Sequence, residues 1–160
     1  MVILGISIGT RTSGIAIISK RGLIEWQTLS FKNSWSEQKA DYIIRSYERY
    51  VKRHKVTVIS VKIPPASHVS AALMLLMEKL VAMCTYHGCT VEYTTKKQLK
   101  AAMPEVQNTR QLITYTAHLY PVLEHSVQKE LANRSKYHHK MIEAVVVAHH
   151  SQYRESSPPD

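Results

Sequence analysis

Residues 5–16 read Gly5-Ile6-Ser7-Ile8-Gly9-Thr10-Arg11-Thr12-Ser13-Gly14-Ile15-Ala16. The apolar run Val2–Ser7 closes on a turn rich in glycine and hydroxyl side chains, and the apolar pattern resumes over Gly14–Ser19. Two such runs joined by a glycine-containing turn predict paired strands. Gly9 and Gly14 are read as permitting that tight turn. Lys20-Arg21-Gly22 forms a second turn and Leu23–Phe31 a third strand, so the chain opens as an antiparallel meander.

Downstream of the meander, strands alternate with helices. Ser34 and Glu37 fit a capping box, and Ala40, Ile43, Ile44, Tyr47 and Val51 recur at helical spacing, predicting a helix over Ser36–His54. Val56–Ile63 is β-branched and nearly continuous in hydrophobicity, as a central strand requires, and Pro64-Pro65 ends it. A long apolar helix follows over Ser67–His87, with Leu73, Leu76, Met77, Leu80, Val81 and Cys84 toward the core and Gly88 as its stop. Cys89–Tyr93 is a fifth strand and Thr95–Met103 a short basic helix. Further helices are predicted over Asn108–Tyr120, Pro121–Asn133 and Lys140–His150. The order β-β-β-α-β-α-β, then helices, predicts an α/β fold: a five-stranded mixed sheet, three strands in a meander and two alternating with helices, covered on both faces. The 160 residues suit one domain over 1–152, with 153–160 as a flexible tail, frayed from Ser156.

Charge narrows the function. Against 21 Lys and Arg stand 12 Asp and Glu, a net +9, which favours a polyanionic partner. Only Asp41 and Asp160 are aspartates. Two cysteines, Cys84 and Cys89, are too few for a disulfide scaffold and fit a reducing compartment. The N-terminal apolar stretch lacks the basic residues of a signal peptide. The run Ala71–Leu76 is far shorter than a membrane span. A cytoplasmic protein without a membrane partner is expected. His138-His139 and His149-His150 could put imidazoles on adjacent helical turns for zinc, although exposed histidines at helix ends explain the same pattern.

The segment Gly5–Ala16 resembles the opening of RuvC-type Holliday-junction resolvases and their YqgF relatives, where an apolar strand and an acid precede G-T-[RK]-x-x-G. The element order is that of the ribonuclease H-like fold to which they belong. The resemblance extends to the basic helix after strand five and to Glu143-Ala144-Val145-Val146-Val147-Ala148-His149. It implies two-metal phosphodiester hydrolysis, with two Mg²⁺ ions held by carboxylates from the first strand, the fourth strand and the last helix. At those positions this chain carries Ser7, Lys62, Lys140 and Glu143. No register shift restores the missing acids, since none lies before Glu25 or between Arg49 and Met77. No Mg²⁺ or other cofactor is therefore expected. Lys62 is expected to take the metal's place and pair with Glu143, with Ser7 hydrogen-bonding nearby; a Lys62 that snorkels to solvent is the plainer alternative. A Ser7–Lys62 nucleophile–base dyad would need an oxyanion hole that no motif signals.

The resulting expectation is a protein with a degenerate nuclease site that binds branched DNA or structured RNA, DNA foremost, without cutting it. The resemblance implies a homodimer. Candidate nucleic-acid contacts are Thr10, Arg11, Lys20, Arg21, Lys96, Lys97, Lys100 and Arg110. Two other functions stand beside it. One is an active metal-dependent junction endonuclease that recruits Glu92 or Glu105. The other is a dimeric scaffold that uses the helix Ser67–His87 and ignores nucleic acid.

Overall fold

Side chains alternate faces along a strand, and the first strand shows the consequence. Leu4 and Ile6 point to one side of the sheet; Ile3, Gly5 and Ser7 point to the other. A computed structural model describes residues 1–132 and 139–156. In it β1 (Val2–Ser7), β2 (Thr12–Ser19) and β3 (Gly22–Ser30) form the antiparallel meander. β4 (Val58–Ile63) lies parallel to β1, and β5 (Thr90–Thr95) parallel to β4, giving the order β3-β2-β1-β4-β5.

Helices cover both faces. On one side α1 (Glu37–His54) and α2 (Ala71–His87) bury Ile43, Tyr47, Leu76 and Leu80 against Leu4, Ile6, Ile15, Ile59 and Val61. On the other α6 (His139–Ser156) lays Ala144 and Ala148 across β1 and β2, backed by Ile113 of α4 (Thr109–Leu119), Val127 of α5 (Glu124–Ala132) and Leu123 of the 3-10 turn between them, which pack with Val145. The short α3 (Lys96–Ala102) leaves the end of β5. Its start is a full capping box, Thr95 with Gln98.

The glycines of the opening segment do a different job from the expected one. Neither Gly9 nor Gly14 has positive φ, and Gly14 lies inside β2. A Cβ on Gly14 would fall on the backbone of Lys140, and one on Gly5 on the carbonyl of Ala144. Their role is to let α6 approach the sheet closely, which also puts Lys140 and Glu143 beside the strands.

Several boundaries move. The N-cap of α1 is Ser36, whose Oγ accepts from the Lys39 N–H at 3.0 Å; N3 is then Lys39, so no Ser34–Glu37 box forms. α2 begins after a 3-10 turn over Ala66–His68, capped by Ser70. Leu73, Leu76, Leu80 and Cys84 are buried as expected, but Val81 is exposed and Met83 is buried in addition. β5 runs two residues further than predicted, to Thr95. α6 continues past His150, so residues 153–156, expected as the start of the tail, are its last turn. Residues 133–138 and 157–160, including His138, lie outside the described residues.

Candidate functional site

The parallel register of β1 and β4 makes Ser7 and Lys62 direct neighbours, both on the face that α6 covers. Glu143 comes down from α6 and forms an ion pair with Lys62, the two side chains 17% and 18% exposed. Burial, with the ammonium groups of Lys96 and Lys140 nearby, pulls the Lys62 pKa down to about 8. The Glu143 carboxylate in contact with it works in the opposite direction and holds the charged form. Ser7 is buried, and its hydroxyl meets no hydrogen-bond partner among the described residues. The expected Ser7 hydrogen bond is therefore missing, and Ser7 and Lys62 show no hydrogen bond from which a dyad could act.

Lys140 supplies a second cation. Its Nζ donates to the carbonyl of Thr12 at 2.9 Å and, more weakly, to that of Ile8 at 3.5 Å. A Cβ on Gly9 would collide with this ammonium. Burial lowers the Lys140 pKa from the ordinary lysine value. From below, Ser13 Oγ donates to the Gly9 carbonyl at 3.1 Å and shares a 2.5 Å hydrogen bond with Tyr47. The β1–β2 loop is thus clamped between Tyr47 and Lys140.

These residues do not fit a pair of Mg²⁺ ions. A hard divalent cation needs several oxygen donors, carboxylates above all. Here one carboxylate is already paired, and two ammonium groups crowd the same space. No set of three His, Cys, Asp or Glu side chains able to hold a metal converges among the described residues. Glu92 accepts from Ser151 at 2.6 Å, toward the far end of α6. Glu105 sits exposed after α3 and does not line the site. Among the described residues the histidines form no zinc set either. His149 is buried, not exposed, its Nδ1 bonded to the Tyr120 hydroxyl at 2.7 Å.

Beside the Lys62–Glu143 pair opens a cleft of about 300 Å³. Lys62, Lys96, Lys100 and Asn108 line its polar side; Leu99, Met103 and Val146 form its apolar wall. A second cleft, about 530 Å³, lies across the β1–β2 loop between Thr10–Arg11 and the β3–α1 connection. The structure thus brings Thr10, Arg11, Lys96 and Lys100 to one end of the sheet, with Lys62 and Lys140. Lys97 and Arg110 are exposed at the same α3–α4 edge but line neither cleft. Lys20 and Arg21 are elsewhere: their turn follows Ser19, which pairs with Val2, at the opposite end of β1 from Ser7. At about 3.3 Å per residue the two ends are roughly 20 Å apart. Sequence reading overlooked the second cleft, where Lys32-Asn33-Ser34-Trp35 joins strand to helix. A tryptophan among short polar residues just ahead of a helix cap was the available signal.

No protein-family model and no curated protein sequence matches the chain. Solved structures do. It superposes on RuvC of Thermus thermophilus in complex with a Holliday-junction substrate with a TM-score of 0.74 at 11% identity, covering 100% of this chain and 99% of that one. A second Thermus thermophilus RuvC structure gives 0.73 at 13% identity over 97% and 96%. The likeness is one of fold: this chain has the ribonuclease H-like fold in the form seen in RuvC.

Proposed function

We propose that this protein binds nucleic acid without cleaving it, holding the phosphodiester backbone at the end of the sheet where a RuvC-type enzyme is expected to bind metal. One observation carries the reading: two tethered ammonium groups, Lys62 and Lys140, stand with a single carboxylate between β4 and α6, at positions for which the RuvC resemblance implies acids. Charge at that end is reinforced by Lys96 and Lys100 along the adjoining cleft. A metal-free cationic site attracts phosphate but provides no activated water and no stabilisation of a leaving oxygen. Backbone contacts of this kind position a ligand without reading its sequence. Branched DNA is the preferred ligand in this reading, structured RNA the next.

The reading includes a cytoplasmic location and a homodimer. Support for the dimer is an apolar stretch left exposed on α2 and β5, where Met74 is 57% and Tyr93 38% exposed. Sedimentation with and without DNA separates this reading from a scaffold, which would dimerise and ignore DNA.

Fluorescence anisotropy against a four-way DNA junction, matched duplex and single-stranded RNA, in a salt series without metal, tests the function. Junction-preferring binding with a steep salt slope is the expected result. Absence of binding to all three near about 50 mM salt, where electrostatic association is strong, overturns it. So does Mg²⁺- or Mn²⁺-dependent cutting that Glu143→Gln abolishes.

A further inference from the structure

The connection between β3 and α1 is exposed yet tied down. Lys32, Asn33, Ser34 and Trp35 all face solvent. Just before them the Phe31 N–H donates to the Arg11 carbonyl at 2.8 Å, and the Phe31 ring is buried edge-on against Tyr42. Within the loop the Lys39 ammonium donates to the Asn33 carbonyl at 2.6 Å, and directly after it Ser36 caps α1. Trp35 is 37% exposed on this anchored frame. Exposing an indole forfeits the large burial gain an aromatic ring offers, and here no slack in the loop accounts for it.

The cleft that Trp35 borders is cationic. Its charged side chains are Arg11, Lys32 and Lys39, and no carboxylate lines it. Lys39 is committed to Asn33, whereas Arg11 and Lys32 are exposed and enter no ion pair among the described residues. Glu37, the nearest acid along the chain, pairs with Lys79 at 3.4 Å. An accessible ring flanked by uncommitted cations is the combination that holds single-stranded nucleic acid, the base on the ring face and the phosphates on the cations.

We propose that Trp35 is a stacking platform for an unpaired base, with Arg11 and Lys32 on the phosphates that flank it. The inference rests on the nucleic-acid reading above and deepens it. A strand that crosses the Lys62 end of the sheet meets the β1–β2 loop and then this cleft, so the protein favours ligands in which at least one base next to the bound backbone is unpaired. A branched or gapped duplex engages both the Lys62 end and Trp35; a continuous duplex engages only the Lys62 end and binds more weakly.

The full chain provides its own probe. Trp26 is half-buried and donates to Ser126 at 3.4 Å, so quenching of tryptophan emission on adding oligonucleotide reports chiefly on Trp35. The ligands are a ten-nucleotide oligothymidylate, an abasic strand of the same length and charge, and a matched duplex, each also followed by anisotropy. The oligothymidylate is expected to quench and the abasic strand not. Trp35→Ala should weaken oligothymidylate binding about 5- to 100-fold with duplex binding unchanged, and Trp35→Phe should retain most of the affinity. Equal binding of thymidylate and abasic strands, or Trp35→Ala with no effect on either, overturns the platform while leaving the general binding function standing. Loss of all binding, duplex included, in the unsubstituted protein removes both. Quenching by an acidic peptide but by no oligonucleotide assigns the surface to a protein partner and also overturns it.

Discussion

Lys62 is bracketed by two opposing effects, burial that disfavours its charge and the Glu143 carboxylate that holds it. Removing one partner of such a pair strands the other, which costs more than the pair itself contributes. Lys62→Met is therefore expected to lower stability by about 1–3 kcal/mol, below the fully buried range because both groups retain some solvent, and to drop Tm by several degrees. Lys62→Met with Glu143→Leu should recover part of that loss. An unchanged melting curve for Lys62→Met would mean that the lysine only snorkels. His149 makes a separate prediction. Burial first, and His150 second, push its pKa down to about 4 from an ordinary 6.5. The fold thus prefers the neutral ring, so this contribution is complete above about pH 6.5 and is lost as pH falls through about 4. Urea melts from pH 7 to pH 4 should show an acid loss of about 1–3 kcal/mol that His149→Gln reduces; an identical loss in the variant would assign acid sensitivity to the carboxylates instead.

α6 owes its position to an absence of side chains beneath it. Gly5 and Gly14 leave room on β1 and β2, and Ser60 Oγ donates to the Val147 carbonyl at 3.3 Å from β4. Packed interiors resist added volume. Gly14→Ala is expected to lift the start of α6 from the sheet, cost about 2–3 kcal/mol, and weaken nucleic-acid binding by displacing Lys140 and Glu143 together. Normal stability by denaturant titration would show that the helix was never seated on that glycine. At the other end of the sheet, the Lys20-Arg21 turn should be silent. Lys96→Ala and Lys100→Ala should each reduce the salt slope of binding by about one; Lys20→Ala and Arg21→Ala should leave both slope and affinity alone. Equal effects at the two ends would mean that the +9 charge acts as a diffuse cloud.

For the whole molecule, a Lys62–Glu143 pair with Lys140 beside it is expected to make stability independent of metal. A ligand that binds only the folded state raises Tm by mass action. Mg²⁺ or EDTA should leave the melting temperature of this protein unchanged, and a Mg²⁺-dependent rise would overturn the assignment of the lysines as resident cations. Conversely, Ser7→Asp, Lys62→Asp and Lys140→Asp together return acids to the positions implied by the RuvC resemblance, with Glu143 already present. That variant should gain a Mn²⁺-dependent rise in Tm, even if it begins less stable than its parent.

Much of the fold was legible because it is written in short-range pattern. Nearly continuous apolar runs bounded by Gly and Pro predicted the central strands, as burial on both faces demands, and the stripe Ala40–Val51 predicted α1, since one buried face imposes its own spacing. The missing carboxylates were equally legible, an absence that no register could repair. Cap positions were not, because Ser34 and Ser36 offer the same chemistry and only the turn of the backbone chooses between them. Nor could sequence decide which basic residues share a surface. Lys20, Arg21, Lys96 and Lys100 have the same charge in the same chain, but the strand pairing sends the first two to one end of the sheet and the last two to the other. The approach of Lys140 to the Thr12 carbonyl spans 128 positions, and the meeting of Lys62 with Glu143 is also nonlocal. Such contacts arise only when α6 settles over two glycines. Pattern along the chain determined the elements and the scarcity of acids; packing of distant segments decided which charges meet, because only the folded chain brings residues 62, 140 and 143 together.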